Sequence, residues 1–265
     1  MALVAPASLS PSKVSSFTSC ALQFRFATID RLPEPPSPAA TKGTLVHAAL
    51  EHLFCLPAGQ RSLPAALTAL DEAFDRLRVE PEYTELGLDQ AAERAFLDDA
   101  EDLVRKYFQL EDPDRVHAIG LELKLQLELE AEERYPGVVL RGIIDRLEIA
   151  PDGELVVTDY KTGRTPNAKF EQGRLGGVHL YALVCEKLFG RRPARVQLYF
   201  LADPMAIIAE PTEQSTRATE RKLRAVRHAI DRACEHESFA PKPSRLCDWC
   251  AFQDRCPAFG GSAAT

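Results

Sequence analysis

Residues 141–163, RGIIDRLEIAPDGELVVTDYKTG, hold two apolar runs joined by Pro151-Asp152-Gly153. That turn chemistry, with Gly153 free to take a positive φ, predicts a β-hairpin with a three-residue loop. A hairpin centred on Asp152 sets Asp145 directly opposite Asp159, with Cβ atoms about 5 Å apart. A bulge in the turn would slip this pairing by one. Residues two apart on a strand share a face, so Lys161 joins Asp159, together with Ile143, Leu147, Ile149, Leu155 and Val157. Two carboxylates among aliphatic side chains repel each other and lose hydration. A lysine compensates in part; a divalent cation, which prefers hard oxygen ligands, compensates better. The alternative is a structural Asp159–Lys161 ion pair, with Asp145 bonded to Arg146 or to backbone.

Upstream of the hairpin the periodicity is helical. Residues 12–27 predict a helix with Ser12 as cap, and residues 31–40, RLPEPPSPAA, a Pro-rich loop. Helices follow at 43–54, 63–78 and 88–109. The period changes at 118–130, AIGLELKLQLELE, where leucine alternates with polar residues as in a half-solvated strand. Beyond the hairpin come a helix over 170–189, strands at 195–202 and 206–210, and a long charged helix over 213–236. This order predicts a mixed α/β fold with an N-terminal helical part.

Composition sets limits. The chain has 265 residues and a formal charge of -7, which argues against a protein that coats nucleic acid non-specifically. Between Lys161 and Arg195, however, eight Lys or Arg stand against two acids, a footprint suited to phosphates or simply a solvated face. No apolar run reaches membrane-spanning length, and the N-terminus lacks the basic-then-apolar order of a signal peptide, so the expected location is the cytoplasm. The chain has seven cysteines, an odd count that argues against a disulfide framework. Cys55, Cys185 and Cys234 read as isolated residues, Cys55 and Cys185 as small buried ones.

An aspartate, a turn, and then Asp-x-Lys, here GIIDR with Asp145 and DYK with Asp159 and Lys161, resembles the core of the PD-(D/E)XK nucleases. The earlier GTLVHAALE resembles the GxxxH element of the RecB-like branch. The resemblance implies that Gly43 permits close backbone approach and that His47 supplies a nitrogen ligand. Glu51, one turn on, would orient His47 or a water, and Glu122 on the preceding strand is a supporting acid. In GVHLY, Tyr181 matches the family's QxxxY element, but Gly177 stands where the glutamine belongs.

Cys247, Cys250 and Cys256 have ligand-like C-x2-C-x5-C spacing, and Cys20 is the candidate for the fourth sulfur that such a site needs; the alternative is that Cys20 is a buried helix residue and the tail binds nothing. One cysteine before the core and three after it resembles the iron–sulfur RecB-family nucleases, including AddB-type and CRISPR-associated members. That implies a [4Fe–4S] cluster stapling both ends of the domain. Four thiolates also suit zinc, so chemistry alone leaves the two open.

The implied fold is α/β: a restriction-endonuclease-like mixed β-sheet flanked by helices, with a helical N-terminal part and a C-terminal cysteine cluster. One domain would span 1–260, with 10–110 helical, 115–210 the nuclease core, and 213–260 the long helix and the cysteines closing onto Cys20. The implied activity is Mg²⁺- or Mn²⁺-dependent hydrolysis of DNA, directed at single strands or ends. His47, Asp145, Asp159 and the Tyr160 carbonyl would hold metal, Lys161 would act on water or the transition state, and Arg164 and Tyr181 would hold the strand. The chain has no GxxxxGK[ST] motif, so unwinding would need a helicase or repair partner. The competing expectation is a non-catalytic DNA-binding module, stabilised by a cluster or zinc, within a larger complex.

Overall fold

The computed structural model describes residues 3–166 and 168–262, with the side chains of 168–176 and 178 outside the description. Lys169, Glu171 and Arg174 of the basic run therefore lie outside the described side chains. Residue contacts gather into two compact units: 1–35, 125–142 and 213–265 in one, 36–124 and 143–212 in the other.

In the first unit, α1 (Pro11–Ser19) starts one residue earlier than expected. Pro11 presets the first helical residue, and Ser10, not Ser12, caps the helix by accepting the Lys13 N–H at 3.2 Å. The single helix expected over 12–27 is broken. Cys20 is extended (φ -155, ψ 110) and separates α1 from α2 (Ala21–Phe24), which runs into a π-helical turn over Arg25–Ile29. The long helix α8 (Glu213–Glu235) buries Leu223, Val226, Ile230 and Cys234. Three short 3-10 turns, Arg245–Trp249, Gln253–Arg255 and Pro257–Phe259, make up the cysteine-bearing tail.

In the second unit, α3 (Pro38–Cys55) begins inside the expected Pro-rich loop. Ser37 caps it through the Ala40 N–H, and Pro38 again occupies the first turn, where a missing N–H costs nothing. Then come α4 (Leu63–Leu77), a short α5 (Pro81–Thr84) and α6 (Gln90–Tyr107). Their apolar stripes form one core with Leu45, Leu50, Leu70, Phe96, Val104 and Tyr107.

Five strands form a single sheet in sequential order: β1 (Ala118–Leu129), β2 (Val138–Ile149), β3 (Leu155–Lys161), β4 (Arg195–Phe200) and β5 (Met205–Ala209). β1 and β2 contribute residues to both units. β2–β3 and β4–β5 are antiparallel, and β3–β4 is parallel. A parallel neighbour requires a crossover, which α7 (Ala168–Phe189) supplies. The result is a mixed sheet flanked by helices, as expected. Along β3, Tyr160 joins the helical core of α3, α4 and α6, so by alternation Val157, Asp159 and Lys161 point to the other face. Ile143, expected among buried neighbours, is 41% exposed.

Candidate metal centre and active site

The hairpin has the register that its turn predicts. Gly153 takes φ +81, and Arg146 pairs with Thr158, Leu147 with Val157 and Ile149 with Leu155. One further step in that register sets Asp145 against Asp159. Asp145 Oδ2 accepts the Tyr160 N–H at 2.7 Å. Burial raises the Asp145 pKa to about 7, and the charge of Asp159 adds to the rise against His47, the Tyr160 N–H and Lys161.

His47 comes from α3. Its Nδ1 lies 3.5 Å from Asp145 Oδ2 and 3.7 Å from Glu122 Oε1. Its Nε2 lies 3.1 Å from the Tyr160 carbonyl, a contact in which the ring N–H donates. That contact turns Nδ1 toward the acids. Burial opposes charging the ring, but the Glu122 hydrogen bond and the charges of Asp145, Asp159 and Glu122 outweigh it and raise the pKa. At Gly43 an added Cβ would meet only Thr162 Oγ1, at 3.5 Å, so the backbone approach expected there is ordinary rather than close.

Glu122 is the residue that the sequence underrated. It sits on β1 with φ +41, a left-handed conformation that costs a non-glycine residue about 1–2 kcal/mol. The local kink interrupts the regular alternation and leaves its carboxylate beside His47. Among the described residues, His47, Glu122 and Asp145 are the one group of three or more His, Cys, Asp or Glu whose ligand atoms lie within 4.8 Å of one another. The expected trio had Asp159 in place of Glu122. Asp159 is only 4% exposed and is engaged elsewhere: Lys161 forms an ion pair with its Oδ2, and the Tyr181 hydroxyl bonds to its carboxylate. Burial and then the charges of Asp159, Asp145 and Glu122 push the Tyr181 pKa far up, so the hydroxyl stays a donor.

This donor set fits a divalent cation. An imidazole nitrogen and two carboxylates converge on one point, and the Asp159–Lys161 ion pair lies beside them. The Tyr160 carbonyl, expected as a metal ligand, here accepts from His47. Glu51, expected to orient His47 or a water, forms no hydrogen bond or ion pair with His47 among the described residues; the partners of the ring are Tyr160, Glu122 and Asp145.

The opposite face carries a buried network that sequence reasoning missed. Arg146 has no exposed surface, and its partners are Glu111, Glu148, Tyr160 and Thr158, not Asp145. It pairs with Glu111 through both guanidinium nitrogens, donates to the Tyr160 hydroxyl at 2.7 Å and to Thr158 Oγ1 at 3.1 Å, and stacks over Phe54. The Tyr107 and Tyr199 hydroxyls donate to the same Glu111 carboxylate. Tyr160 thus ties both faces together: its backbone serves His47 and Asp145, and its hydroxyl meets Arg146. An apolar run interrupted by Arg146, with Tyr160 two residues past the turn-paired Thr158, was the available signal.

Arg164 is exposed just beyond β3, and an added Cβ at Gly177 on α7 would meet nothing within 4 Å among the described residues. Among the described residues His179 has a buried Nδ1 without a hydrogen-bond partner; burial lowers its pKa, and it does not join the acidic group.

Cys20, Cys247, Cys250 and Cys256 are all free thiols and line one pocket in the first unit, with Phe26, Pro241 and Phe252. Burial raises the Cys250 pKa, and the other three thiols add to the rise. No three of the sulfurs lie mutually within 4.8 Å. A closed zinc site, with Zn–S of about 2.3 Å, holds its sulfurs about 3.8 Å apart. The pocket does not have that spacing, and a cysteine cluster at direct ligand distance is not shown.

A model of the PD-(D/E)XK nuclease superfamily matches residues 8–257, and the chain belongs to that superfamily. It is 27% identical to the Gene 69 protein of Mycobacterium phage D29, over 94% of this chain and 96% of that protein. It is 30% identical to the Gene 69 protein of Mycobacterium phage L5, over 53% of this chain and 45% of that one. Among solved structures, a putative exonuclease from Eubacterium rectale superimposes with a TM-score of 0.56 at 14% identity, covering 92% of this chain and 87% of that one. That likeness is one of fold. Among the described residues no helix is long and apolar enough to cross a membrane.

Proposed function

We propose that this chain is a Mg²⁺- or Mn²⁺-dependent deoxyribonuclease of the RecB-like branch, acting in the cytoplasm on single strands or free ends as one domain over 1–260. The observation that carries the reading is the convergence of His47, Glu122 and Asp145 beside the Asp159–Lys161 pair. His47, Glu122 and Asp145 would hold the ion, with Asp159 and the Tyr160 carbonyl bordering it. The ion supplies Lewis-acid charge at the scissile phosphate and makes water a better nucleophile at neutral pH. Lys161 has its ammonium against Asp159, where it is positioned to orient that water or to offset charge building on the phosphate. Tyr181 fixes Asp159 through its hydroxyl, and Arg164, exposed beyond β3, meets the strand.

The four free thiols around one pocket support a [4Fe–4S] cluster, whose thiolates sit wider apart than those of zinc. Its role would be structural, joining the start of the first unit to its tail. A helicase or repair protein would supply unwinding. One observation favours the second reading, a DNA-binding module without catalysis: Gly177 leaves empty the place of the family's glutamine.

Anaerobically purified protein incubated with end-labelled single-stranded DNA and Mn²⁺ should shorten it, and Asp145→Asn should slow this by at least about a thousandfold. Iron analysis should return about four irons per chain with a broad absorption band near 400 nm. Brown protein that binds DNA and never cuts it would decide for the binding module. Cleavage retained in Asp145→Asn would remove the carboxylate centre from the mechanism.

A further inference from the structure

We propose that the solvent face of α8 is a second DNA-contact surface, built to hold the sugar-phosphate backbone and separate in its residues from the carboxylate centre. The choice of DNA as the polyanion rests on the nuclease reading; the surface itself rests on how the charges of α8 are spent.

Six Lys or Arg stand on α8: Arg217, Arg221, Lys222, Arg224, Arg227 and Arg232. Four acids accompany them, Glu213, Glu220, Asp231 and Glu235. The inward arginines consume two of the acids. Arg224, 5% exposed, bonds Glu220 at 2.9 Å, Glu132 at 3.0 Å and the Glu130 carbonyl at 2.7 Å. Arg227 bonds Asp231 at 2.8 Å and the Pro6 carbonyl at 2.7 Å. Glu213 is taken by Arg217 in an exposed pair. Arg221, Lys222 and Arg232 then remain exposed without an ionic partner among the described residues, and Glu235 at the helix end is the one acid not so used.

Arg217, Arg221, His228 and Arg232 follow one another at intervals of four, seven and four, which returns to one side of a helix each time. At a rise of about 1.5 Å per residue the stripe is about 22 Å long. Phosphates on one DNA strand recur every 3.4 Å or so along the duplex axis, so the stripe reaches about six of them. Exposed Ala218, Ala225 and Ala229 beside it put no bulk in the way of a backbone. On a chain of net charge -7 this stripe is a local field rather than a general one. A merely solvated helix face would pair its outward cations with acids at i±4, as Arg217 does with Glu213. Arg221 and Lys222 have no acid three or four residues away, and Arg232 forms no ion pair with Glu235 three residues on, among the described residues.

The test is fluorescence anisotropy with the full chain in EDTA, so that nothing is cut, using labelled 30-nucleotide single-stranded and duplex DNA over a KCl series. Arg221→Glu/Lys222→Glu/Arg232→Glu should weaken binding by at least tenfold near 0.1 M salt. It should also flatten the dependence of log affinity on log salt by about 2 to 3, the signature of lost phosphate contacts. The form of DNA that loses more identifies the strand the stripe tracks. Arg221→Gln/Lys222→Gln/Arg232→Gln, which only neutralises, should show the same sign at smaller size, and a circular-dichroism melt checks that both variants fold. In Mn²⁺, cleavage of a five-nucleotide substrate should be unchanged by the triple variant while the KM for a 30-mer rises. If the wild type never cleaves but the salt slope still flattens, the nuclease reading falls and the surface stands. Unchanged affinity and slope, or a wild type that does not bind DNA, would overturn the surface.

Discussion

His47, Glu122 and Asp145 stand on a long helix and two paired strands; Cys20, Cys247, Cys250 and Cys256 stand at a break between helices and among 3-10 turns. The first set is hard and its ligand atoms already lie within 4.8 Å of one another; the second is soft and set wider. Regular hydrogen bonding holds the carboxylate centre against its own repulsion, with one strained residue, Glu122, as the local cost. The thiol pocket has no such ladder, so the proposed cluster, once bound, would supply more of its rigidity. A site built on sheet register survives without its ion, whereas one built on turns depends on its occupant for order.

The sharpest way to break that contrast is to remove one donor from each. Cys250→Ser should lower the thermal midpoint by about 10 °C, the equivalent of a few kcal/mol in a protein of this size, and bleach the 400 nm band. The sole tryptophan, Trp249, sits between Cys247 and Cys250, so its emission should be quenched in loaded wild type and recover in the variant. A midpoint unchanged by Cys250→Ser would mean that the turns hold themselves. Next in size, Glu122→Gln should weaken Mn²⁺ binding by roughly 10–100-fold in calorimetry. Asp159→Asn should lower kcat more than it lowers metal affinity; the reverse order would restore Asp159 to the ligand trio.

The pH response sharpens the comparison from the carboxylate side. Asp145 and His47 both have folded pKa values above their unfolded ones, so both bind protons more tightly when folded. Their contribution to stability is therefore greatest at low pH and lost as pH rises through the folded values, about 7 for Asp145. With EDTA present, stability should increase by on the order of 2 kcal/mol between pH 8 and 5.5. Asp145→Asn should remove most of that slope in denaturant titrations, and a slope of the opposite sign would refute the assignment. The smallest effect is at Gly177. Gly177→Gln enters open space on a helix, so it should stabilise by about 0.5 kcal/mol and lower the KM for DNA. An unchanged KM would show that the glutamine's place is idle in this chain.

What the sequence disclosed follows the same divide. The hairpin register was legible because Pro151-Asp152-Gly153 fixes its own geometry and side chains alternate strictly around it. Most helices were legible from their periodicity. The break at Cys20 was not, since SPSKVSSFTSCALQF carries neither Gly nor Pro to mark it. The start of α3 at Pro38 was hidden because proline reads as loop until Ser37 is seen as its cap. Glu122 was underrated because positive φ in a non-glycine residue leaves no trace in composition. The Arg146–Glu111 pair joins positions whose proximity only the tertiary fold reveals, as does the Tyr160 carbonyl that accepts from His47.

Asp145 and Asp159 meet across a hairpin that is local in sequence, and local pairings close early, within microseconds, before distant contacts form. A hairpin that closes first would meet their repulsion with little else folded to resist it. If the hairpin is formed in the folding transition state, that electrostatic cost falls on the climb to it and not on the return path, and Asp145→Asn in EDTA should then speed refolding while leaving the unfolding rate unchanged.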